Sequence, residues 1–296
     1  MSYTSLLLVV LAAMAHATWN LLAKRAAMVG APFVFAYGLC ASVLYAPWVI
    51  WVLMHDGMTW TWPVVAAILT SSLLHLGYSL CLQRGYQVAD LSVVYPIARG
   101  TGPLLSTTGA FLLLGEPATS TGIIGMLCVV IGVLLIATQG RLAIFKQAQA
   151  WVGVRWGVVI GLFIAAYTVV DAYGVKVLLI SPVLFDWFTC VTRTVMMTPH
   201  MVGRRAQAWE SMRGHWHLAL AVGLLSPLGY ILVLYALRNG APLSLVAPAR
   251  EMSMMLGTLA GMFLLREKVG PGRLAGCLSI LAGVILLGSS SVSYTH

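Results

Sequence analysis

Charged side chains are scarce in this sequence, and their scarcity excludes a soluble protein. Only 8% of the 296 residues are charged, whereas 60% are hydrophobic, and the mean hydropathy is +0.93. Soluble domains carry about 25% charged residues, so a water-exposed surface cannot be built from this composition. The apolar runs are long and do not alternate with polar residues, which indicates membrane-spanning helices rather than a transmembrane β-barrel.

Motifs of catalysis, metal binding and nucleotide binding are absent as well. The chain contains no HExxH, GxSxG or P-loop sequence, which argues against an enzyme and against an ATP-driven pump. Its five cysteines are scattered without a CxxC pair, so neither a disulfide framework nor a metal site is expected. The net charge of +9 comes from basic residues between apolar runs, with no basic stripe of interleaved aromatics. The sequence therefore predicts no cofactor, no metal and no nucleic-acid partner.

Ten apolar segments follow one another along the chain, each long enough to cross about 30 Å of hydrocarbon. Short turns join most of them, and the longest connector, 139–153, separates the first five from the last five. The predicted segments are 4–23, 33–54, 62–83, 91–113, 119–138, 154–175, 183–202, 216–237, 243–264 and 271–289.

The two groups of five segments repeat each other. "LSVVYPIARG" at 91–100 returns as "LSLVAPAREM" at 243–252, so that Pro96 corresponds to Pro248. Proline removes a backbone donor and bends a helix, and a matched pair predicts one bend in each repeat. We interpret Pro96 and Pro248 as hinge or gating positions.

An odd number of segments per repeat makes the second repeat enter the membrane in the opposite direction. "LLLGEP" and "FLLREK" align Glu116 with Glu267, and Gly125 and Gly132 correspond to Gly276 and Gly283, which extends the repeat into the last segment of each half. Self-similarity of this kind is typical of inverted-repeat transporters. The predicted fold is an all-α integral membrane protein of ten transmembrane helices in two inverted five-helix repeats, 1–140 and 150–296.

The basic residues predict an orientation. Twelve Lys and Arg residues fall in the odd-numbered connecting loops, whereas the even-numbered loops hold only Lys176 and Arg238. Cytoplasmic loops carry the excess of basic residues. We therefore expect a multi-pass protein of the plasma (inner) membrane with its odd-numbered loops in the cytoplasm and both termini outside.

Taken together, "ATWN" in the first segment, "YPIARGTGPLLSTTGAFLLLGEP" and "AGCLSILAGVILL" resemble the drug/metabolite transporter superfamily, specifically its EamA-type ten-helix members. The resemblance covers nearly the whole chain. It implies transport of small metabolites, often export, without ATP hydrolysis. The second half departs from the pattern, because "LLREK" stands where "LLGEP" is typical.

Polar and aromatic residues inside the apolar segments predict a cavity between the repeats. A charge in the bilayer costs about 2.5–3.5 kcal/mol on insertion scales, so each one calls for an explanation. Residues three or four apart share a helix face, and the first, third and fourth segments and their repeat counterparts carry such sets. The candidate binding residues are Trp19, Asn20, His75, Tyr78, Tyr95, Arg99, Tyr167, Asp171, Tyr230, Arg250 and Glu251.

Each of these residues also has a structural interpretation. The aromatic residues can serve as packing or interfacial anchors, the arginines can snorkel to a helix end, and Arg250 with Glu251 can form pairs with neighbouring helices. In the functional interpretation, Arg99 or Arg250 binds a carboxylate and Asp171 or Glu251 binds an amine.

Aromatic walls with a few polar groups suit a small amphipathic molecule. The sequence therefore predicts a secondary transporter or facilitator that exports amino acids, aromatic and other apolar ones, or related metabolites. The alternative is a multidrug or organic-cation exporter of the same fold, since aromatic rings and one carboxylate also suit a cation. Proton coupling and facilitated diffusion both stay open. The expected partners are a small-molecule substrate and the lipid bilayer, in a monomer or a homodimer.

Overall fold

The protein is helical throughout the residues that the structure, a computed structural model, describes: 2–89, 91–146, 150–264 and 270–290. Short 3₁₀ turns occupy Ala27–Val29 and Leu142–Lys146. The α-helices are α1 (Tyr3–Arg25), α2 (Ala31–His55), α3 (Trp62–Val88), α4 (Leu91–Leu113), α5 (Ser120–Thr138), α6 (Ala150–Lys176), α7 (Pro182–Gly203), α8 (Arg205–Met212), α9 (Trp216–Arg238), α10 (Leu243–Ala249), α11 (Met252–Leu264) and α12 (Pro271–Ser290).

The predicted segments correspond to these helices except α8, with α10 and α11 together forming the ninth. Among the described residues, seven helices are long and apolar enough to cross a membrane by length and composition: α1, α2, α3, α5, α6, α9 and α12. The other three segments are α4, α7 and the α10–α11 pair. They are the segments interrupted by Arg99, by Asp186 and Arg193, and by Arg250 with Glu251.

The ninth segment is not one continuous helix, which corrects the prediction for 243–264. Helix α10 ends at Ala249 and α11 begins at Met252, so Arg250 and Glu251 lie at the break. Pro248 cannot donate to the carbonyl of Ser244, and the Thr107 hydroxyl approaches that carbonyl at 3.4 Å instead. The bond from Glu251 N–H to the Pro248 carbonyl is a tight i→i+3 turn. In contrast, α4 runs through Pro96 without interruption.

The helices of the two repeats pack in symmetric pairs. Helix α1 of the first repeat corresponds to α6 of the second, and α3 corresponds to α9. Helix α1 packs against α9, and α3 packs against α6, so the two contacts are equivalent under the repeat. Helices α2 and α7 pair with each other, as do α5 and α12. The chain is thus an all-α membrane protein of two inverted five-helix repeats, and the central helices α1, α3, α4, α6 and α9 all face partners from the other repeat. The division at 1–140 and 150–296 stays a prediction.

Close contact between α5 and α12 depends on glycine. A Cβ on Gly132 would lie 2.7 Å from the Gly276 carbonyl oxygen, and one on Gly125 would lie 3.0 Å from the Gly283 carbonyl oxygen. These four glycines are the ones that correspond between the repeats. Glycine, which has no side chain, lets the backbones of two membrane helices approach this closely.

Helix α8 was not predicted. It occupies the connector between α7 and α9, and its residues are largely exposed. Trp209 and Trp216 lie side by side there, with ring centroids 5.4 Å apart, and both are exposed. Trp at a membrane–water boundary is a common anchor.

Candidate functional site

A buried carboxylate, that of Asp171 on α6, joins three helices. Its Oδ1 accepts a hydrogen bond of 2.6 Å from the Ser71 hydroxyl of α3. Its Oδ2 lies 3.1 Å from His75 Nε2, also on α3, and accepts from the Tyr230 hydroxyl of α9. Asp171 is 1% exposed, and among the described residues His75 is its ion-pair partner, which is charged only when protonated.

Aromatic rings surround this carboxylate. The His75 ring stacks on Tyr167, with centroids 3.9 Å apart and planes at 25°. Tyr78 and Tyr230 meet Tyr167 edge-on, at 5.7 and 6.4 Å. Edge-to-face and stacked rings at these distances are mutually attractive. We call Ser71, His75, Tyr78, Tyr167, Asp171 and Tyr230 the Asp171 cluster.

A second polar group forms around Arg99 of α4. Arg99 Nε lies 2.8 Å from Glu251 Oε2, and both side chains are buried. Arg99 Nη2 donates to the Ser253 hydroxyl at 3.2 Å, and Nη1 lies 3.5 Å from His16 Nε2. The guanidinium carbon also stands 5.9 Å from the Tyr95 ring centroid. These contacts tie the first repeat to the break between α10 and α11, and they satisfy the charge of Arg99.

Arg250 differs from Arg99 in having no ion pair. It is 3% exposed, and its Nε, like that of Arg99, is buried without a hydrogen-bond partner. In the described part of the chain its guanidinium forms no ion pair. Its strongest electrostatic neighbours are the hydroxyl groups of Tyr167 and Tyr230 and the carboxylate of Glu251. Arg250 therefore lies between the Asp171 cluster and the Arg99 group.

Two predicted residues lie outside the Asp171 cluster. Trp19 Nε1 donates to His16 Nδ1 at 3.2 Å, and its ring packs against a separate apolar cluster that includes Phe33 and Val222. The Asn20 amide donates to the His16 carbonyl of its own helix at 2.7 Å. Both hydrogen bonds lie within α1, and neither side chain contacts Asp171; through His16, Trp19 lies next to the Arg99 group.

Some residues of the site were missed by sequence reasoning. Ser71 stands four residues before His75, so its place on the same face of α3 was visible in the sequence. Ser253 follows the break that the sequence did not reveal. Asp186 is a lone acid in α7, seven residues before Arg193 and so on the same helix face, and a single acid in an apolar segment was a usable signal.

Neither the described side chains nor the described cavities indicate a metal site here. No group of three His, Cys, Asp or Glu residues that could hold a metal ion is found in the described part of the chain. A cavity of about 310 Å³ opens elsewhere, among the α2–α3, α6–α7 and α9–α10 connectors, where Asp56 and Arg238 line it. It does not include the Asp171 cluster.

Comparison with known proteins gives three findings. The EamA-like transporter family matches this chain twice, over residues 3–138 and 151–289. "Multidrug resistance protein EbrB" of Bacillus subtilis (strain 168) is 31% identical over 85 residues, which are 28% of this chain and 68% of EbrB. A crystal structure of a protein with 14% identity superposes with a TM-score of 0.76 over 100% of both chains, a likeness of fold alone.

Proposed function

This chain belongs to the EamA-like transporter family, and from that premise we propose that it exports amino acids, aromatic and other apolar ones, by alternating access. As a member of that family it is a multi-pass membrane transporter of small molecules rather than an enzyme. The amino-acid specificity and the direction are the parts proposed here. The observation that carries the specificity is a buried carboxylate inside a set of aromatic rings, and the direction follows only from the resemblance.

The Asp171 cluster suits a primary ammonium group. Asp171 Oδ2 already accepts a hydrogen bond from Tyr230 and faces His75. The ammonium group of a substrate can replace these hydrogen-bond donors. A buried carboxylate without a fixed cation favours a positively charged ligand. Tyr167 and Tyr78 add ring faces that attract the same charge.

The rings also suit an apolar side chain. Tyr78, Tyr167 and Tyr230 come from α3, α6 and α9, so three helices contribute to one wall. Ligand sites of this kind are mostly apolar, with a few polar groups that fix orientation. A substrate with an ammonium group and an aromatic or aliphatic body fills both parts.

Alternating access follows from the placement of the site between the repeats. Asp171 belongs to the second repeat, whereas Ser71 and His75 belong to the first. In inverted-repeat transporters the repeats rock around a fixed site at their interface. The break after Pro248 lies beside the site, and Pro96 marks the corresponding position of the first repeat. We propose that both serve as hinges.

The proposed orientation places the odd-numbered loops in the cytoplasm. Helix α8 and its flanks support it, because Arg204, Arg205 and Arg213 are all exposed there. Basic residues beside exposed tryptophans are typical of a cytoplasmic membrane surface. A reporter enzyme that is active only in the cytoplasm, fused after α8 and after α12, should be active at the first position and inactive at the second.

Counterflow into proteoliposomes tests the proposed function. Liposomes loaded with unlabelled phenylalanine should accumulate labelled phenylalanine, tryptophan and leucine when they contain the purified wild type. Protein-free liposomes and the Asp171→Asn variant serve as controls. Absence of saturable exchange for all three amino acids in protein that is monodisperse and folded would refute amino-acid transport.

An organic-cation exporter is the second candidate. The partial similarity to EbrB, whose name states multidrug resistance, supports it, and so does a carboxylate among aromatic rings. Tetraphenylphosphonium in the same counterflow assay separates the two. The amino-acid proposal expects no exchange of this cation, and the second candidate expects exchange of the cation without exchange of phenylalanine.

A further inference from the structure

Four charged side chains lie buried at the centre of the described structure, and three of them have partners. Arg99 and Glu251 form an ion pair at 2.8 Å. Asp171 accepts from Ser71 and Tyr230 and contacts His75. The fourth is Arg250, whose guanidinium forms no ion pair with a described residue.

The environment of Arg250 does not allow the ordinary structural explanations. Snorkelling needs a path to water, but Arg250 is 3% exposed. A structural ion pair needs an acid, but the neighbouring Glu251 contacts Arg99 instead. A buried charge without a partner costs free energy in a membrane interior, so the resting site holds a cation that a ligand can neutralise.

Arg250 also lies near the Asp171 cluster. The hydroxyl groups of Tyr167 and Tyr230, which belong to that cluster, are among its strongest electrostatic neighbours. Helix α11 begins two residues later, at Met252, and a helix N-terminus carries a partial positive charge. Both the guanidinium and the helix end favour an anion at this place.

We infer that Arg250 is the anion-binding residue of the site and holds the carboxylate of the substrate, while Asp171 faces its ammonium group. The inference rests on the proposed function, which it deepens by making the carboxylate a requirement. A guanidinium binds a carboxylate through two parallel N–H···O bonds. One unpaired cation matches one monoanion, whereas a phosphate dianion would leave a net negative charge buried. Arg99 is excluded from this role because Glu251 already neutralises it.

Three ligands with one aromatic body test the carboxylate requirement. Phenylalanine carries both charged groups, 3-phenylpropionate carries the carboxylate alone, and phenethylamine carries the ammonium alone. We expect the first two to raise the thermal unfolding temperature of the full-length wild type in detergent. The Arg250→Gln variant should lose the response to 3-phenylpropionate and bind phenylalanine about tenfold or more weakly. Arg250→Lys keeps the charge but not the planar guanidinium, so this variant should retain part of the response to 3-phenylpropionate.

The ligand-free variants supply a second readout. Arg250→Gln removes an unpaired buried cation, so its unfolding temperature without ligand should equal or exceed that of the wild type. The matched variant Arg99→Gln leaves Glu251 without its partner and should unfold at a lower temperature. A structural role for Arg250 predicts the opposite, a loss of stability similar to that of Arg99→Gln.

The outcomes separate this inference from the proposed function. Phenylalanine exchange that is unaffected in Arg250→Gln overturns the inference and leaves the function standing. Arg250-dependent binding of 3-phenylpropionate without exchange of any amino acid supports the anion site and overturns the amino-acid proposal. If neither carboxylate ligand binds the wild type, both are overturned.

Discussion

Glu116 and Ser244 join the two repeats through two hydrogen bonds to one carboxylate oxygen. The Ser244 backbone N–H and hydroxyl donate to Glu116 Oε2 at 2.9 and 2.7 Å. The Leu243 N–H donates to Oε1 at 2.7 Å, and Lys176 Nζ lies 2.8 Å from the same atom. The connector after α4 therefore caps the start of α10. The repeat counterpart Glu267 lies outside the described residues.

This contact predicts a loss of stability in acid. Burial alone raises the pKa of Glu116, but Lys176 and the backbone donors of Ser244 and Leu243 outweigh it, and the pKa lies below its ordinary value. A carboxyl group with a lowered folded-state pKa contributes stability above its unfolded pKa of about 4.3. That stability is lost as the pH falls through the folded-state pKa.

Unfolding temperature measured against pH checks this. The wild type should lose stability below about pH 4.3, and Glu116→Gln should be less stable at pH 7 with a flatter acid limb. Glu210→Gln is the control, since Glu210 is an exposed acid paired with Arg213 and should match the wild type. Equal acid limbs in wild type and Glu116→Gln would contradict the assigned role.

The second prediction concerns Asp171. Asp171→Asn preserves volume and removes the charge, so we expect transport to fall about tenfold or more while the protein still folds and inserts. Asp56→Asn is the matched control, because Asp56 is an exposed acid in the α2–α3 connector. Counterflow rates normalised to reconstituted protein measure both. Normal rates in Asp171→Asn would remove this carboxylate from the site.

Most members of the Asp171 cluster were predictable, because helical spacing and the repeat together indicate which residues share a face. His75 and Tyr78 are three residues apart, Tyr167 and Asp171 are four apart, and Tyr230 repeats Tyr78 in the second half. A polar face in a membrane helix must turn away from lipid, so inverted repeats bring these faces together. The geometry agrees with that expectation, and the binding role stays a prediction.

The break at Arg250 was not predictable in the same way. Pro96 and Pro248 occupy corresponding positions, yet α4 is continuous and the ninth segment is split. The difference depends on contacts between helices, namely the Glu116 cap on α10 and the pairing of Arg99 with Glu251. Such contacts are set by tertiary packing, which periodicity and motif matching do not report.

The third prediction separates the ring of Tyr167 from its hydroxyl. The ring stacks on His75 with centroids 3.9 Å apart. Tyr167→Phe keeps this ring, so the variant should retain most of the transport rate. Tyr167→Ala removes the ring and should raise the concentration for half-maximal exchange of phenylalanine more than that of leucine. Exchange rates over a concentration series measure this, and equal effects on both amino acids would contradict an aromatic wall.

The last prediction concerns the contact between α5 and α12. Gly132→Ala would place a Cβ 2.7 Å from the Gly276 carbonyl oxygen and 2.9 Å from the Ile280 backbone nitrogen. Since backbone atoms cannot yield as a flexible side chain does, the helices must separate, at a cost of about 1–3 kcal/mol. The control is Gly257→Ala, because a Cβ at Gly257 meets nothing within 4 Å. That variant should be neutral or slightly more stable, since alanine favours the helix over glycine. Thermal unfolding of both variants in one detergent compares them, and a Gly132→Ala protein as stable as the wild type would show that this helix pair tolerates separation.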